Sequence, residues 1–255
     1  MKSVAIAGAQ ASRMRYHELS GDGPALIFIH GLGCASSCDF PAVAADPTLR
    51  GRRMLLVDLL GSGFSDRPED FGYTVSDHAG CIVALVEHLD LPEVDLFGHS
   101  MGGAIAIDAA ARLQGRLRRL IVSEPNLVPG GGVFSRNIAA IPDAAYVATG
   151  HRAVIQASRA DGDGVWAASM AVSAPYAVQR GATALVVGSD PSWRSLLLGL
   201  KVPRSFIIGE WSLPYPEADG LAEAGIAIRI VADAGHGMAT ENPTSLAGAI
   251  AASLI

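Results

Sequence analysis

The sequence predicts an α/β fold: a mostly parallel sheet with helices on both faces. Short apolar runs alternate with longer amphipathic stretches over most of the chain. The short runs are apolar on both faces, as in strands buried by helices on either side. Strand–helix–strand repetition makes right-handed crossovers, which carry helices to both faces of one sheet.

In chain order, residues 25–30 (ALIFIH) read as a strand ending at a glycine turn. Residues 54–58 (MLLVD) read as another, running into Gly61-Ser62-Gly63. Strands at 94–98 and 120–123 follow, then 205–209 and 226–231 late in the chain. Helical patterns cover 76–89, 101–113 and the stretch from Pro243 to the end. The rhythm breaks after Ser123. Residues 124–200 hold a glycine-rich turn at 129–132, amphipathic segments at 141–158 and 165–178, and an isolated strand-like run at 184–187. The expected division is a core of residues 1–123 and 201–255, with 124–200 inserted as a helical lid over one edge of the sheet. No long linker, low-complexity tract or internal repeat marks a further boundary.

Composition narrows the function classes. Of 255 residues, 50% are hydrophobic and 17% charged, which excludes a disordered chain and a coiled coil. A net charge of −6 gives a nucleic-acid role no electrostatic basis. The longest apolar runs, such as 25–29 and 184–187, fall far short of the ~20 residues of a membrane span. Residues 1–12 (MKSVAIAGAQAS) weakly mimic a leader, but the apolar part is short and regular structure is expected at once. Cys34, Cys38 and Cys81 are odd in number and without metal-like spacing, so reduced thiols in a cytoplasmic protein are expected.

The sharpest motif is Gly98-His99-Ser100-Met101-Gly102, a G-x-S-x-G between a strand and a helix. A sharp strand-to-helix turn strains the serine backbone and needs glycine flanks, because a side chain there would strike neighbouring backbone. It leaves a hydroxyl at a helix N-terminus, where the dipole favours developing negative charge. By chance such a motif occurs in many glycine-rich chains; the flanking strand and helix make it a nucleophile candidate.

With this motif the chain resembles the α/β-hydrolase superfamily over nearly its whole length. The likeness rests on four motifs in order: His30-Gly31-Leu32-Gly33, Asp58 through Asp66 (DLLGSGFSD), the Ser100 elbow, and Ala234-Gly235-His236-Gly237. One fold hosts many chemistries, so no substrate follows.

A serine hydroxyl needs a base within hydrogen-bond reach. Of seven histidines, His236 lies in a glycine-flanked loop after the last strand, at the sheet edge where ligands gather. It also follows in the superfamily's chain order. His30 is expected to brace the neighbouring loop, and His99 to pack beneath the elbow. His17, His78, His88 and His151 read as solvent-facing or incidental. The resemblance implies two backbone N–H donors for the oxyanion, those of Leu32 and Met101. Cys34, two residues on, reads as pocket lining before it reads as a second nucleophile.

The acid departs from the common pattern. Most relatives place an Asp after the penultimate strand, where this chain has Gly209-Glu210-Trp211-Ser212. A serine supplies no charge. Glu124, at the end of the strand that follows the elbow helix, is the alternative; some haloalkane dehalogenases carry their acid there. It lies 24 residues past Ser100, room for one helix, a turn and a strand. Glu210, Asp219, Asp233 and Asp190 stand behind it. Dehalogenation itself needs a carboxylate nucleophile, which Ser100 is not.

Gly31-Leu32-Gly33 and Gly61-Ser62-Gly63 each lack the third glycine of a dinucleotide loop, and no P-loop or clustered metal ligands occur. Asp58 and Asp66 read as turn and packing residues. The expectation is a cofactor-free, metal-free serine hydrolase cleaving a carboxylic ester of a small, hydrophobic substrate through an acyl-enzyme. Ser100 attacks, His236 shuttles the proton, and Glu124 orients His236. Small-molecule substrates are its expected partners, not nucleic acid or membrane. Carbon–carbon bond hydrolysis, amide hydrolysis, acyl transfer and a catalytically silent ligand-binding role remain alternatives. The assembly state is not readable.

Overall fold

In the computed structural model, residues 1–6 and 12–255 are described; residues 7–11 of the leader-like stretch lie outside them. Eight strands form one sheet: β1 (Lys2–Ala5), β2 (Arg13–Leu19), β3 (Asp22–Ile29), β4 (Arg52–Asp58), β5 (Val94–His99), β6 (Leu117–Ser123), β7 (Arg204–Gly209) and β8 (Ala227–Val231). Their order is β1-β2-β4-β3-β5-β6-β7-β8. From β4 onward all neighbours are parallel, while β2 runs antiparallel to both β1 and β4.

Alternation along the buried strands divides the interior into two cores. Ile27 and Ile29 of β3 join Val57, Leu96 and Leu120 under α1 (Val75–His88) and α2 (Met101–Leu113), packing with Ile82 and Ile105. Leu26 and Phe28 join Phe97, Ile121 and Ile207 on the other face, under Leu246 and Ile250 of the C-terminal helix Pro243–Ser253. Every residue of β3 from Ala25 to Ile29 is buried, which is why its sequence shows no polar alternation.

Between β6 and β7 the chain is helical: α3 (Val133–Ala139), α4 (His151–Ala160), α5 (Gly164–Ala171), α6 (Pro175–Val187) and α7 (Trp193–Gly199). They share a small core of their own, with Ile138, Tyr146, Ile155, Met170 and Val178. Two expectations need correction here. The run 184–187 is the last turn of α6, not a strand: Leu185 is buried and Val187 is exposed. The pattern at 165–178 is two helices, because Pro175 opens α6 and holds Ala174 extended. The N-terminal β1–β2 pair escapes pattern reading. In β2, buried Met14 and Tyr16 alternate with polar residues at the antiparallel end of the sheet, giving no continuous apolar run.

Candidate active site

Ser100 is the single residue between β5 and α2. Its backbone is left-handed, with φ 55° and ψ −121°. The turn closes only because its flanks are glycine. A Cβ on Gly98 would run into the Gly102 carbonyl, and one on Gly102 into the carbonyls of Ile29 and His30. Ser100 N–H donates to Ser123 O at 2.9 Å, tying the apex to the end of β6.

The first residue beyond that strand is Glu124. Its backbone is also left-handed (φ 40°), and its N–H donates to Ile207 O at 3.1 Å. The side chain is buried. Oε1 accepts from Gly209 N–H at 2.9 Å, and Oε2 lies 2.6 Å from His236 Nδ1. Burial alone would raise this carboxyl; the hydrogen bond and charge of His236, Gly209 N–H and the Ser212 side chain reverse that, and it sits below the ordinary glutamate range. The imidazole of His236 reaches from the loop after β8, its side chain 46% exposed. Gly235 N–H donates to Glu241 Oε2 at 2.7 Å, which pins this loop from the following helical turn.

The other carboxylates do not approach the ring. Glu210 Oε2 accepts from Asp233 N–H at 3.0 Å, facing away into the neighbouring turn. Asp190, Asp219 and Asp233 are exposed. Asp58 accepts from Ser37 N–H, Ser37 Oγ and Phe64 N–H, and Asp66 from Arg13 N–H, both organising turns.

His99 packs beside His236, ring centroids 4.7 Å apart, with Nδ1 3.0 Å from Ser123 Oγ. Burial, then proximity to His236, pushes it down to about 3, so it stays neutral. His30 is fully buried. Its Nδ1–H donates to Gly31 O at 2.8 Å, and its Nε2 accepts from Leu59 N–H at 3.0 Å. This clamps the loop that carries Leu32. Gly31 lies directly against Ser100. Leu32 O accepts from Trp166 Nε1 of α5 at 2.9 Å, and Met170 of the same helix sits over Gly33. Met101 opens α2, so its N–H has no intrahelical acceptor. The Cys34 thiol is held well above its usual range by burial, then by Asp39, and is not a thiolate.

Two histidines are misplaced by sequence reading. His78 and His151 are buried, not solvent-facing. His78 packs on Phe71 and Tyr73, while His151 links Tyr146 OH to Met170 O between α4 and α5. His17 is half-buried and His88 exposed. Ser123, Glu241 and the Trp166 indole N–H are supports that no local motif announces. Ser123 and Trp166 act through contacts with segments distant in the chain, and Glu241 through the turn six residues before it.

This sheet order, with the strained serine turn and a histidine–carboxylate pair at the same strand ends, defines an α/β hydrolase. The chain belongs to the α/β hydrolase fold family, whose model matches residues 24–168, more than half of it. It is 36% identical over 118 residues to the 2-hydroxymuconate semialdehyde hydrolase of Pseudomonas sp. strain CF600, covering 45% of this chain and 40% of that one. It is 33% identical over 103 residues to the 2-hydroxy-6-oxo-2,4-heptadienoate hydrolase of Pseudomonas putida F1, covering 40% and 37%. Each alignment thus spans about two fifths of the relative. Among solved structures, a thermophilic esterase from Thermogutta terrifontis superposes with a TM-score of 0.80 at 20% identity, covering 99% of this chain and 97% of that one. The enol-lactonase of Burkholderia xenovorans LB400 gives 0.79 at 22%, covering 99% of each. These structural likenesses establish the fold.

Proposed function

We propose that this hydrolase cleaves the carboxylic ester of a small, largely apolar substrate through a Ser100 acyl-enzyme. The 2.6 Å contact of Glu124 Oε2 with His236 Nδ1 carries the reading. It sets Nδ1 as the protonated nitrogen and leaves Nε2 free to accept a proton from Ser100. The Ser100 oxygen attacks the acyl carbon as His236 takes its proton. The amides of Leu32 and Met101 receive the oxyanion. Collapse expels the alcohol, which takes the proton from His236, and water then attacks the acyl-enzyme by the same route. Neutral His99 beside His236 puts no positive charge against the imidazolium that forms.

A panel of p-nitrophenyl esters of graded acyl length, run with wild type and Ser100→Ala, tests this. Wild type turns over short esters and labels with a fluorophosphonate at Ser100; the variant does neither. Absence of labelling would favour a silent ligand-binding protein, and products formed with added alcohol separate transfer from hydrolysis.

A second reading, carbon–carbon bond hydrolysis, is favoured by the likeness to the two Pseudomonas hydrolases. Incubation with 2-hydroxymuconate semialdehyde discriminates. Its turnover faster than any ester would make this reading the primary one.

A further inference from the structure

His99 ends β5, directly before Ser100. Its Nδ1 lies 3.0 Å from Ser123 Oγ on β6, and its Cδ2 lies against Gly31 in the loop after β3. Because Cγ is rooted on β5, these two contacts fix the ring and turn its remaining edge, Cε1 and Nε2, away from the strand. The residue is half-buried, and Nε2 has no hydrogen-bond partner among the described residues and is not closed off from solvent. A neutral imidazole carries one donor and one acceptor; Ser123 takes one nitrogen and leaves the other available. The rings of His99 and His236 are 4.7 Å apart, with 46° between their planes. Glu124 holds Nδ1 of His236, so the proton for the leaving oxygen departs from its Nε2. The available nitrogen of His99 is therefore beside the place where the alcohol leaves. A Phe or Leu would fill the same space without offering a polar atom there.

We infer that Nε2 of His99 is a contact for the alcohol part of the substrate, selecting monoesters of 1,2-diols over esters of isosteric simple alcohols. This rests on the ester-cleavage reading and deepens it on the leaving-group side. The second hydroxyl, two carbons beyond the ester oxygen, spans from the oxygen facing His236 to the ring packed beside it. A hydroxyl both donates and accepts, so it pairs with Nε2 in either tautomer. An alkyl chain of the same length leaves that nitrogen to water. The contact also fixes the leaving oxygen at the end of the His236 proton.

The test compares 2-hydroxyethyl butanoate with propyl butanoate, which have the same acyl group and the same chain length. Butanoate release is titrated at constant pH, and each kcat/KM is divided by the rate of the same ester with hydroxide. For wild type the hydroxyethyl ester is favoured about 5- to 10-fold, the scale of one hydrogen bond. In His99→Phe, which keeps a ring against His236 and deletes both nitrogens, the ratio falls to near one. His99→Gln carries its amide to the Nε2 position and keeps part of the preference; His99→Asn reaches only the Nδ1 position and does not. Should the Phe variant fail to fold in thermal unfolding, the Gln and Asn variants decide alone. A wild-type ratio near one, a preference that survives His99→Phe, or equal ratios in the Gln and Asn variants would overturn the contact. If p-nitrophenyl esters are cleaved in that case, the ester reading stands without it. If no ester is cleaved at all, both fall together.

Discussion

Glu124 and His236 stand 112 residues apart in the chain and 2.6 Å apart in the fold. The carboxylate leaves β6, two strands earlier than the loop that carries the histidine, and its second oxygen is held by Gly209 N–H at the end of β7. Where the common pattern has an aspartate, Ser212 adds to the forces that keep Glu124 charged.

Removing that charge while keeping the shape isolates its role. Glu124→Gln is expected to lower kcat by about 10³- to 10⁴-fold with KM little changed, the range seen when a triad carboxylate becomes an amide. Glu210→Gln, whose side chain only accepts from Asp233 N–H, is expected to stay within about 3-fold. Steady-state kinetics on one ester decide it; the reverse pattern removes Glu124 from the triad.

The same pair links stability to pH. Glu124 is depressed in the folded protein, so its stabilising contribution is full above the unfolded glutamate value and disappears as pH falls through the folded value. Denaturant unfolding of wild type and Glu124→Gln at a series of pH values should show a gap that is constant near neutrality and narrows in acid. A gap that widens on acidification contradicts the assignment.

The elbow has no room for a methyl group. Gly102→Ala would press Cβ onto two backbone carbonyls of β3 and its loop, and backbone cannot move aside as a flexible side chain can. A loss of about 2 kcal/mol or more in unfolding free energy is expected, with activity falling as the serine shifts. A variant as stable as wild type would mean that the turn relaxes freely.

Trp166 ties α5 to the carbonyl of Leu32. Trp166→Phe keeps an aromatic ring beside Phe134 and deletes only the N–H. Stability should change by about 1 kcal/mol, while kcat falls on the order of 10-fold as the loop carrying Leu32 loses its register. An unchanged kcat with lowered stability would make the contact purely structural.

How much was legible beforehand differs by element. The parallel strands could be read because burial on both faces writes short apolar runs into the sequence, α1 because one stripe is buried, and α2 because its long, almost wholly buried apolar run follows the serine turn. Ser100 and His236 could be read because glycine flanks mark where backbone must turn tightly. His78 and His151 could not: an imidazole buried in a helix carries the same letter as one in water, and only packing separates them. Run 184–187 was ambiguous because four apolar residues fit the end of a buried helix as well as a strand.

From sequence alone came the α/β class, the serine turn, the histidine loop and a short ranking of carboxylates, since each is specified by residues close together in the chain. Only the folded chain decided which carboxylate meets the ring. That choice depends on β6, β7 and β8 lying side by side in parallel, so that Ser123, Gly209 and Val231 end at one edge. Hydrogen bonding between strands far apart in the chain sets that alignment, and no local spacing encodes it.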